Sequence, residues 1–516
     1  MGGYNQEESH KESQWSQRTD VLLENLPSLS GSTGTASVTD SFDEYAIRGL
    51  FYRVNYTYDG KYMFEANGRY DGTSRFPRGK RFGFFPSFSA AYRISEESFF
   101  EPLRSTIDNL KLRFSYGSLG NQQIGYYDFI QTISTKGTMN DYSFNGSALG
   151  QHATVSDPVS GNQTWEKVVS KNIGIDLNML RNRLSLSADF YIRDTKGILS
   201  QGKSLPSIYG AKEPQVNAND LRTKGYELVL GWRDSFKLAG KQFSYGISAS
   251  LSDYTAKYTK CDNPTGLIGD PYVGKRLGEI WGYKVGGLFR TDEEAAEYAS
   301  RIDYRTVAPG YYSSTGEYGK GVRAGDVKYW DRNGDGNITD DDRIVTGNPN
   351  PKFSGGWNNT FKYKGLELSL FFTYSYGNDV YASWMIPGSK PGHTRSLLKA
   401  YADNRWTGPG TSDKYPRAIY SYSGWNGKNS TMYLTDGSFI RLRSVTLGYT
   451  FPQRLVSKIH LKGLRVYAQG DNVFLCSRYP GWDPETSVNL DPRFYGEDND
   501  GVPQPRIFKL GVNITF

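Results

Sequence analysis

Long hydrophobic segments, cysteine and histidine are all scarce in this sequence of 516 residues. No run of about 18 or more apolar residues occurs, which excludes a protein that crosses a membrane on helices. The two cysteines and four histidines are too few and too scattered for a disulfide framework, a zinc site or a Cys/His catalytic pair. The sequence also lacks the G-x-S-x-G and H-E-x-x-H motifs of common hydrolases. We therefore expect no enzyme activity.

A large excess of one charge sign is lacking too. The 61 basic and 54 acidic residues give a net charge of only +7. No basic stripe occurs, so we expect no nucleic-acid partner. What the chain has in quantity is aromatic residues, at 15% with 39 tyrosines, and 58 glycines. Disordered chains are poor in aromatics, and this composition favours a large antiparallel β structure with many turns.

Paired stretches in which apolar and polar residues alternate run along the chain, as expected for β-hairpins. Asp59-Gly60, a pair suited to a tight turn with two positive φ angles, separates the first pair. Each return strand has about 9 to 11 residues in pattern, the length that a tilted strand needs to cross a bilayer. The clearest pairs are 50–58 with 62–70, 173–179 with 184–192, 226–232 with 243–251, and 353–361 with 366–376.

The connections alternate between tight turns and long excursions, of which 254–350 and 377–435 are the longest. Short turns on one side and long loops on the other are typical of a transmembrane β-barrel. Helix is scarce, and the best candidate begins after Thr291. A soluble β-sandwich or propeller would alternate as well, but the last residues favour the membrane barrel. There Phe508, Leu510, Val512, Ile514 and Phe516 share one face, and Lys509, Asn513 and Thr515 lie on the other.

Several motifs occur in an order that is similar to one family, the SusC/RagA-like TonB-dependent outer-membrane transporters. Each is weak alone, but their order is specific and covers essentially the whole chain. They are YRVNYTYDGKY (52–62), RYDGTSRF (69–76), GFFPS (83–87), LKLRFSYG (110–117), GNPNP (347–351), DGSFIRL (436–442), VTLGY (445–449) and DPE (483–485).

The resemblance implies an all-β fold, a transmembrane antiparallel β-barrel with long extracellular loops in the cell outer membrane. We count about 14 to 16 candidate strands of a barrel of roughly 22 in this family. Residues 1–516 would then be the C-terminal portion of the barrel, with the N-terminal plug absent and Met1 an internal start. An open sheet edge cannot sit in lipid, because its backbone polar groups would be unsatisfied. We therefore expect the chain not to transport alone.

Functionally, the resemblance implies an importer of oligosaccharides or peptides that works with a SusD-like surface lipoprotein. TonB would supply energy through the missing plug, and outer-membrane lipid would surround the barrel. A non-transporting surface glycan-binding or structural β protein is the alternative. A secreted glycan-cleaving enzyme is a third, weaker one.

One loop has the spacing of a calcium-binding loop. In 331–342 oxygen-bearing residues occupy positions 1, 3, 5, 7, 9 and 12, and Gly336 at position 6 allows a sharp turn. The predicted ligands are Asp331, Asn333, Asp335, Asn337 through its backbone carbonyl, Thr339 and Asp342. Position 12 is Asp rather than Glu, so bidentate closure is less favoured. The alternative is an Asp/Gly-rich turn without metal.

Aromatic residues in the predicted loops are candidates for stacking on sugar rings or packing against a peptide. Packing of loop against loop is the alternative for each of them. These residues are Tyr311, Tyr312, Tyr329, Trp330, Trp384, Trp406, Trp425 and Trp482. Asp483 and Glu485 flank Pro484, and we interpret them as part of a loop turn rather than as a catalytic pair.

Overall fold

A fourteen-stranded antiparallel sheet, in which each strand pairs with the next one along the wall, dominates the structure. The computed structural model describes the chain except residues 26, 135–142, 145–146, 149–152, 204, 265, 267, 305–320, 387–398, 419–423, 488–495 and 499–501. The wall strands are Gly2–Arg18 (β1), Ala36–Tyr58 (β2), Tyr62–Thr73 (β3), Phe82–Arg93 (β4), Ile107–Asn121 (β5), Glu166–Met179 (β6), Leu184–Gln201 (β7), Gln215–Leu238 (β8), Lys241–Lys260 (β9), Phe353–Tyr363 (β10), Leu366–Tyr376 (β11), Phe439–Thr450 (β12), Gly463–Ser477 (β13) and Ile507–Thr515 (β14).

The tight turns occur where the sequence predicts them, because residues tolerant of positive φ stand there. Asp59 and Gly60 have φ angles of 50° and 64°, and Lys61 N–H donates to the Tyr58 carbonyl at 3.0 Å. The turn between β10 and β11 is tighter than predicted, since only Lys364 and Gly365 separate the paired strands. The predicted hairpins are thus confirmed, most of them with longer strands.

The connections leave alternate ends of the sheet, and the longest of them share one end. One end carries 59–61, 94–106, 180–183, 239–240, 364–365 and 451–462, and the other carries 19–35, 74–81, 122–165, 202–214, 261–352, 377–438 and 478–506. The predicted loop 254–350 begins too early, because Tyr254 still pairs with Gly225 and β9 continues to Lys260. The predicted end of this loop, residue 350, lies two residues before the observed end at residue 352.

The two faces of the sheet differ in polarity, as strand alternation requires. One face carries exposed apolar side chains, including Val54, Phe64, Phe114, Ile173, Phe190, Leu447 and Leu510. The other face carries ion pairs between neighbouring strands, such as Arg53–Glu65 at 2.9 Å and Lys509–Asp471 at 2.6 Å. An exposed apolar face opposite a polar one is the arrangement of a membrane barrel wall.

The sheet has two unpaired edges. Among the described residues, β1 pairs only with β2 and β14 pairs only with β13. The fourteen strands agree with the predicted 14 to 16, and in the part of the chain that the structure describes the sheet does not close on itself. Unpaired edge groups are strongly unfavourable in hydrocarbon, so further strands are needed to complete a wall in lipid.

The remaining elements belong to the connections. The α-helices are Asp292–Arg301 (α1), Lys399–Asn404 (α2) and Gln453–Val456 (α3). Short strands are Ile133–Ser134, Ser143–Phe144, Ser147–Ala148, Thr154–Val155, Ile280–Tyr283, Val285–Leu288, Val327–Tyr329, Arg343–Gly347, Asp379–Ala382, Leu434–Asp436 and Glu497–Asp498. The 3-10 helices are Ile94–Glu96, Ser98–Leu103, Ser207–Tyr209, Asp340–Asp342, Ser383–Met385, Ser457–Ile459 and Pro484–Ser487. No helix in the described part is long and apolar enough to span a membrane.

Helix α1 begins where the sequence predicts it. The Thr291 hydroxyl accepts a hydrogen bond from the Glu294 backbone N–H at 3.2 Å, which satisfies one of the free donors at the start of the helix. The Glu294 carboxylate accepts from the backbone N–H of Arg290 at 2.8 Å rather than from that of Thr291. Thr291 therefore caps the helix, and the Glu294 carboxylate binds one residue upstream of the position that a full capping box requires.

The last strand offers a test of which face meets lipid. In a complete barrel that contains this chain, we expect Val512→Arg to impair assembly in the outer membrane, since arginine near the midplane of a barrel costs about 2–4 kcal/mol. Asn513→Arg stays on the polar face, where it meets Arg465 across the strand pair. Such like-charge pairs cost only about 0.2–1 kcal/mol.

The measurement is the fraction of protein in the outer membrane that shows heat-modifiable migration in a gel. Only the variant at Val512 should lose most of this fraction. Equal losses for both variants would contradict the facing assigned to β14.

Candidate functional site

A cluster of charged side chains spans three strands on the polar face of the sheet. Arg113 of β5 donates to both carboxylate oxygens of Asp176 at 2.9 and 3.0 Å and to both of Asp189 at 2.9 Å. Gly174 makes this possible, because a Cβ there would lie 2.5 Å from Asp189 Oδ1 and 2.7 Å from Arg113 Nη2. Bidentate pairs of this kind are strong and geometrically specific. The cluster therefore fixes a charged, hydrogen-bonding patch on the wall.

Two of the long connections, 261–352 and 377–438, pack on one another, and we call their described residues the loop domain. Tyr329 donates its hydroxyl to the Trp425 carbonyl at 2.7 Å, and Trp425 Nε1 donates to the Val327 carbonyl at 2.7 Å. Loops normally carry few buried apolar residues. The buried core of this domain consists of Tyr283, Leu288, Phe289, Ala295, Tyr298, Tyr304, Val322, Val327, Tyr329, Ile338 and Trp425. The loop domain is therefore a packed unit above the sheet.

A buried ion pair joins the two connections of the loop domain. Asp326 is fully buried, and Arg417 donates to its two oxygens at 2.8 and 3.2 Å. Asn426 Nδ2 also donates to Asp326 Oδ1 at 2.9 Å, and the Arg323 backbone N–H donates to Oδ2 at 3.0 Å. A buried carboxylate is stable only when it is paired and hydrogen-bonded to this extent. Asp326 therefore holds residues nearly 100 positions apart in one arrangement.

A third long connection, 478–506, joins the same end of the sheet through a second apolar cluster. Strand Asp379–Ala382 pairs with Leu434–Asp436 and, in parallel, with Glu497–Asp498. Trp384 Nε1 donates to the Tyr479 hydroxyl at 3.0 Å, and that hydroxyl donates to Asp498. Burial and the nearby Asp498 charge raise the pKa of Tyr479 well above its ordinary value. The three long connections thus contact one another.

Two motifs that carry the family resemblance meet where β12 leaves this end. Arg441, which is only 2% exposed, contacts Asp483 at 2.5 Å and Glu485 at 2.7 Å. Arg443 contacts the other Glu485 oxygen at 2.6 Å. The prediction of a loop turn at 483–485 is incomplete, since both acids are paired with arginines of the wall. The sequence signal is the alternation of Arg441 and Arg443 with Ile440 and Leu442 at the start of the strand.

The calcium-like loop is closed by its own hydrogen bonds. The two Asp331 oxygens accept from the backbone N–H groups of Gly334 at 2.8 Å and Gly336 at 2.9 Å. Both glycines have positive φ, 74° and 77°, as the predicted sharp turn requires. Asp342 accepts from Arg332 N–H at 2.9 Å and from Thr339 N–H at 2.8 Å. A carboxylate offers about four acceptor positions, so these bonds leave capacity for an ion.

Among the other predicted ligands, Asn333, Asp335 and Asn337 are exposed, and the Thr339 hydroxyl accepts from the Asp341 backbone N–H at 3.3 Å. Asn333 Nδ2 donates to Asp335 Oδ2 at 3.0 Å, and Asp335 Oδ1 accepts from Asn337 N–H at 2.7 Å. Ile338 is fully buried in the core of the loop domain. In the part of the chain that the structure describes, no three His, Cys, Asp or Glu side chains form a metal-binding group. Calcium binding by 331–342 stays a prediction, and it depends on amide, hydroxyl and carbonyl oxygens as well as carboxylates.

The predicted loop aromatics fall into two groups. Tyr329 and Trp425 are buried in the core of the loop domain, and Trp384 and Trp406 pack against its clusters. Trp330 and Trp482 are exposed, the latter at 79%. Tyr311 and Tyr312 lie outside the described residues. Loop packing is thus the role of at least four of these side chains, and the exposed pair keeps the capacity to contact a ligand.

Comparison with known proteins agrees with this architecture. The family model for the TonB-dependent receptor-like β-barrel matches residues 2–358. The chain belongs to the TonB-dependent receptor β-barrel family. TonB-dependent receptor P26 of Formosa agariphila is 31% identical over 510 residues, which cover 95% of this chain and 48% of that protein. TonB-dependent receptor SusC of Bacteroides thetaiotaomicron is 26% identical over 472 residues, covering 90% of this chain and 43% of SusC.

The structure of the RagAB peptide transporter superposes with a TM-score of 0.75 at 20% identity, covering 99% of this chain and 53% of that one. The predicted SusC/RagA-like barrel is thereby confirmed. The chain spans about half the length of the curated relatives that it matches. TonB-dependent receptor barrels are outer-membrane proteins, so the chain belongs to the cell outer membrane. Its relatives are receptors and transporters rather than enzymes.

The buried ion pair of the loop domain generates a prediction. Asp326→Ala removes the buried carboxylate that pairs with Arg417, whose side chain is 16% exposed, and should destabilise the loop domain by about 3–5 kcal/mol. Limited proteolysis should then cut 261–352 and 377–438 much faster, while the wall strands stay protected. Glu293→Ala, on the exposed first turn of α1, is the control and should leave the cleavage rates nearly unchanged. Equal rates for Asp326→Ala and the wild type would show that the pair does not hold the connections together.

Proposed function

We propose that this chain forms barrel wall and extracellular loops of a TonB-dependent importer of oligosaccharides or peptides. The observation that carries the proposal is the contrast between the two sheet faces. An apolar face suits outer-membrane lipid, and a polar face with ion pairs suits a water-filled interior. The contacting long connections at one end supply a packed surface where a large solute meets the barrel. These features and the family support the proposed importer.

The partners in this proposal are a SusD-like surface lipoprotein and the TonB complex. A SusD-like protein would cover the end that carries the loop domain, because folded, packed loops give a partner a defined surface. TonB would act through a plug domain, which the described strands do not include. The RagAB structure is described as a peptide transporter, and that description supports the peptide half of the proposed substrate range.

Uptake by cells tests the importer proposal. Cells that carry the protein should accumulate a labelled oligosaccharide or peptide, and deletion of the gene or depletion of TonB should each abolish the accumulation. Replacing Arg113 by methionine should lower uptake, because Asp176 and Asp189 would then repel each other across the polar face. Binding of the solute at the cell surface without TonB-dependent uptake would favour the alternative, a surface glycan-binding protein.

We propose in addition that the loop 331–342 binds Ca²⁺ and thereby stiffens the loop domain. The negative potential of the loop supports this proposal. Burial and the charges of Asp331 and Asp342 raise the pKa of the neighbouring Tyr298 hydroxyl well above its ordinary value. A cation at the loop would offset that potential. The positive φ angles of Gly334 and Gly336 also allow the sharp turn that a calcium loop requires.

Calorimetry tests the calcium proposal. Asp331→Ala combined with Asp335→Ala should abolish Ca²⁺ binding and speed proteolysis of the loop, with the sheet intact. The matched control, Asp340→Asn with Asp341→Asn, removes two carboxylates of the same loop that are not predicted ligands. Its Ca²⁺ affinity should fall much less. Lack of Ca²⁺ binding by the wild-type protein would show that the loop is an Asp/Gly-rich turn.

A further inference from the structure

A second candidate site lies at the long-loop end of the sheet, away from the loop domain. A cavity of about 650 Å³ opens between β2, the connection 122–165 and the connection 202–214. We call it the acidic cavity. Its frame is packed, because Trp165 lies against Phe76 and Phe85 with ring centroids 5.4 and 5.2 Å apart. The Trp165 Nε1 also donates to the Arg81 carbonyl at 2.9 Å.

A buried acceptor without a partner lines the acidic cavity. Gln163 is only 2% exposed, and its Nε2 donates to the Gln215 carbonyl at 3.2 Å. This bond fixes the orientation of the amide, since a flipped amide would bring two acceptor oxygens together. Its Oε1 receives no hydrogen bond from any residue in the described part of the chain. Burying an unpaired acceptor is unfavourable, and a ligand that donates an N–H group would relieve this.

The charge of the cavity lining is strongly negative. One ammonium, that of Lys212, stands against four carboxylates, those of Asp43, Asp128, Asp157 and Glu213. Three of the four are held through one oxygen by a backbone N–H at 2.8 to 3.2 Å. Within the described residues, their second oxygens accept no further hydrogen bond. These carboxylates are thus positioned without being neutralised.

Two tyrosine rings complete the lining, Tyr126 and Tyr127. The ring of Tyr126 already contacts a cation of the protein itself. The guanidinium of Arg75 lies 4.2 Å from the centre of the Tyr45 ring and 4.8 Å from that of Tyr126. Ring faces attract cations through their quadrupole. Aromatic rings beside uncompensated carboxylates are the surroundings that an ammonium or guanidinium group prefers.

We propose that the acidic cavity binds the cationic side chain of a basic peptide. This inference rests on the proposed import function and specifies its substrate at one place. A neutral oligosaccharide would fill the cavity without compensating the carboxylates, which lose hydration when a ligand covers them. A lysine or arginine side chain supplies both the charge and the N–H donor that Gln163 lacks.

Binding experiments on the protein extracted from outer membranes in detergent test the proposal. The probes are trilysine, trilysine with all side chains acetylated, maltotriose and a glucosamine trimer. Trilysine should bind, and its affinity should fall as salt is raised, because screening weakens the attraction. The acetylated peptide and maltotriose should bind far more weakly. Binding of maltotriose as tight as that of trilysine, or binding of the glucosamine trimer alone, would overturn the peptide assignment.

Variants locate the binding. Asp157→Asn with Glu213→Gln keeps the acceptor oxygens for the backbone but removes two charges, and should weaken trilysine binding by roughly tenfold or more. The matched control, Glu96→Gln with Glu101→Gln, removes two exposed charges at the opposite end of the sheet and should have no effect. Gln163→Met should weaken binding with retained folding, as judged by heat-modifiable migration. Unchanged affinity in the first double variant would overturn the site.

Failure of this inference and failure of the import function give different results. Trilysine binding without any TonB-dependent uptake would contradict the import proposal but agree with the proposed role of the acidic cavity. TonB-dependent uptake without trilysine binding would contradict only the proposed role of the acidic cavity.

Discussion

The satisfaction of backbone hydrogen bonds inside a membrane is the constraint on which the rest of this structure depends. Hydrocarbon offers no partner for N–H and C=O groups, so every strand that crosses it must be paired on both sides. The continuous order from β1 to β14 meets this demand at every internal strand. Chain direction alternates from strand to strand, so the turns of two to four residues lie at one end and every connection longer than 13 residues lies at the other.

Once the strands are paired, alternation decides where chemistry is located. Each residue faces either lipid or the interior, so polar groups concentrate on one face, where they satisfy one another. Arg113 with Asp176 and Asp189 is an example. Three strands contribute these side chains, and Gly174 leaves the space between them because it has no Cβ. The same charges on the lipid face would each cost several kcal/mol.

The sequence predicted the hairpins well because their signals are local. Alternation and the turn residues Asp59-Gly60 and Lys364-Gly365 lie within a few positions of the strands that they define. The packing of the long connections was not predictable in this way. Asp326 and Arg417, or Arg441 and Asp483, are separated by dozens of residues, and no local pattern links their charges. The acidic cavity was missed for the same reason, since its lining comes from three separate parts of the chain.

The ion pairs at the long-loop end connect the loops mechanically to the wall. Arg441 and Arg443 belong to β12, whereas Asp483 and Glu485 belong to the connection between β13 and β14. Because Arg441 is buried with its acids, moving that connection away would leave a charge unpaired in a poorly hydrated place. The connection therefore moves together with the wall or at a large free-energy cost. The pair of Asp326 and Arg417 joins the two connections of the loop domain to each other in the same way. A partner or solute that contacts these loops thus meets a surface whose geometry is set by the strands beneath it.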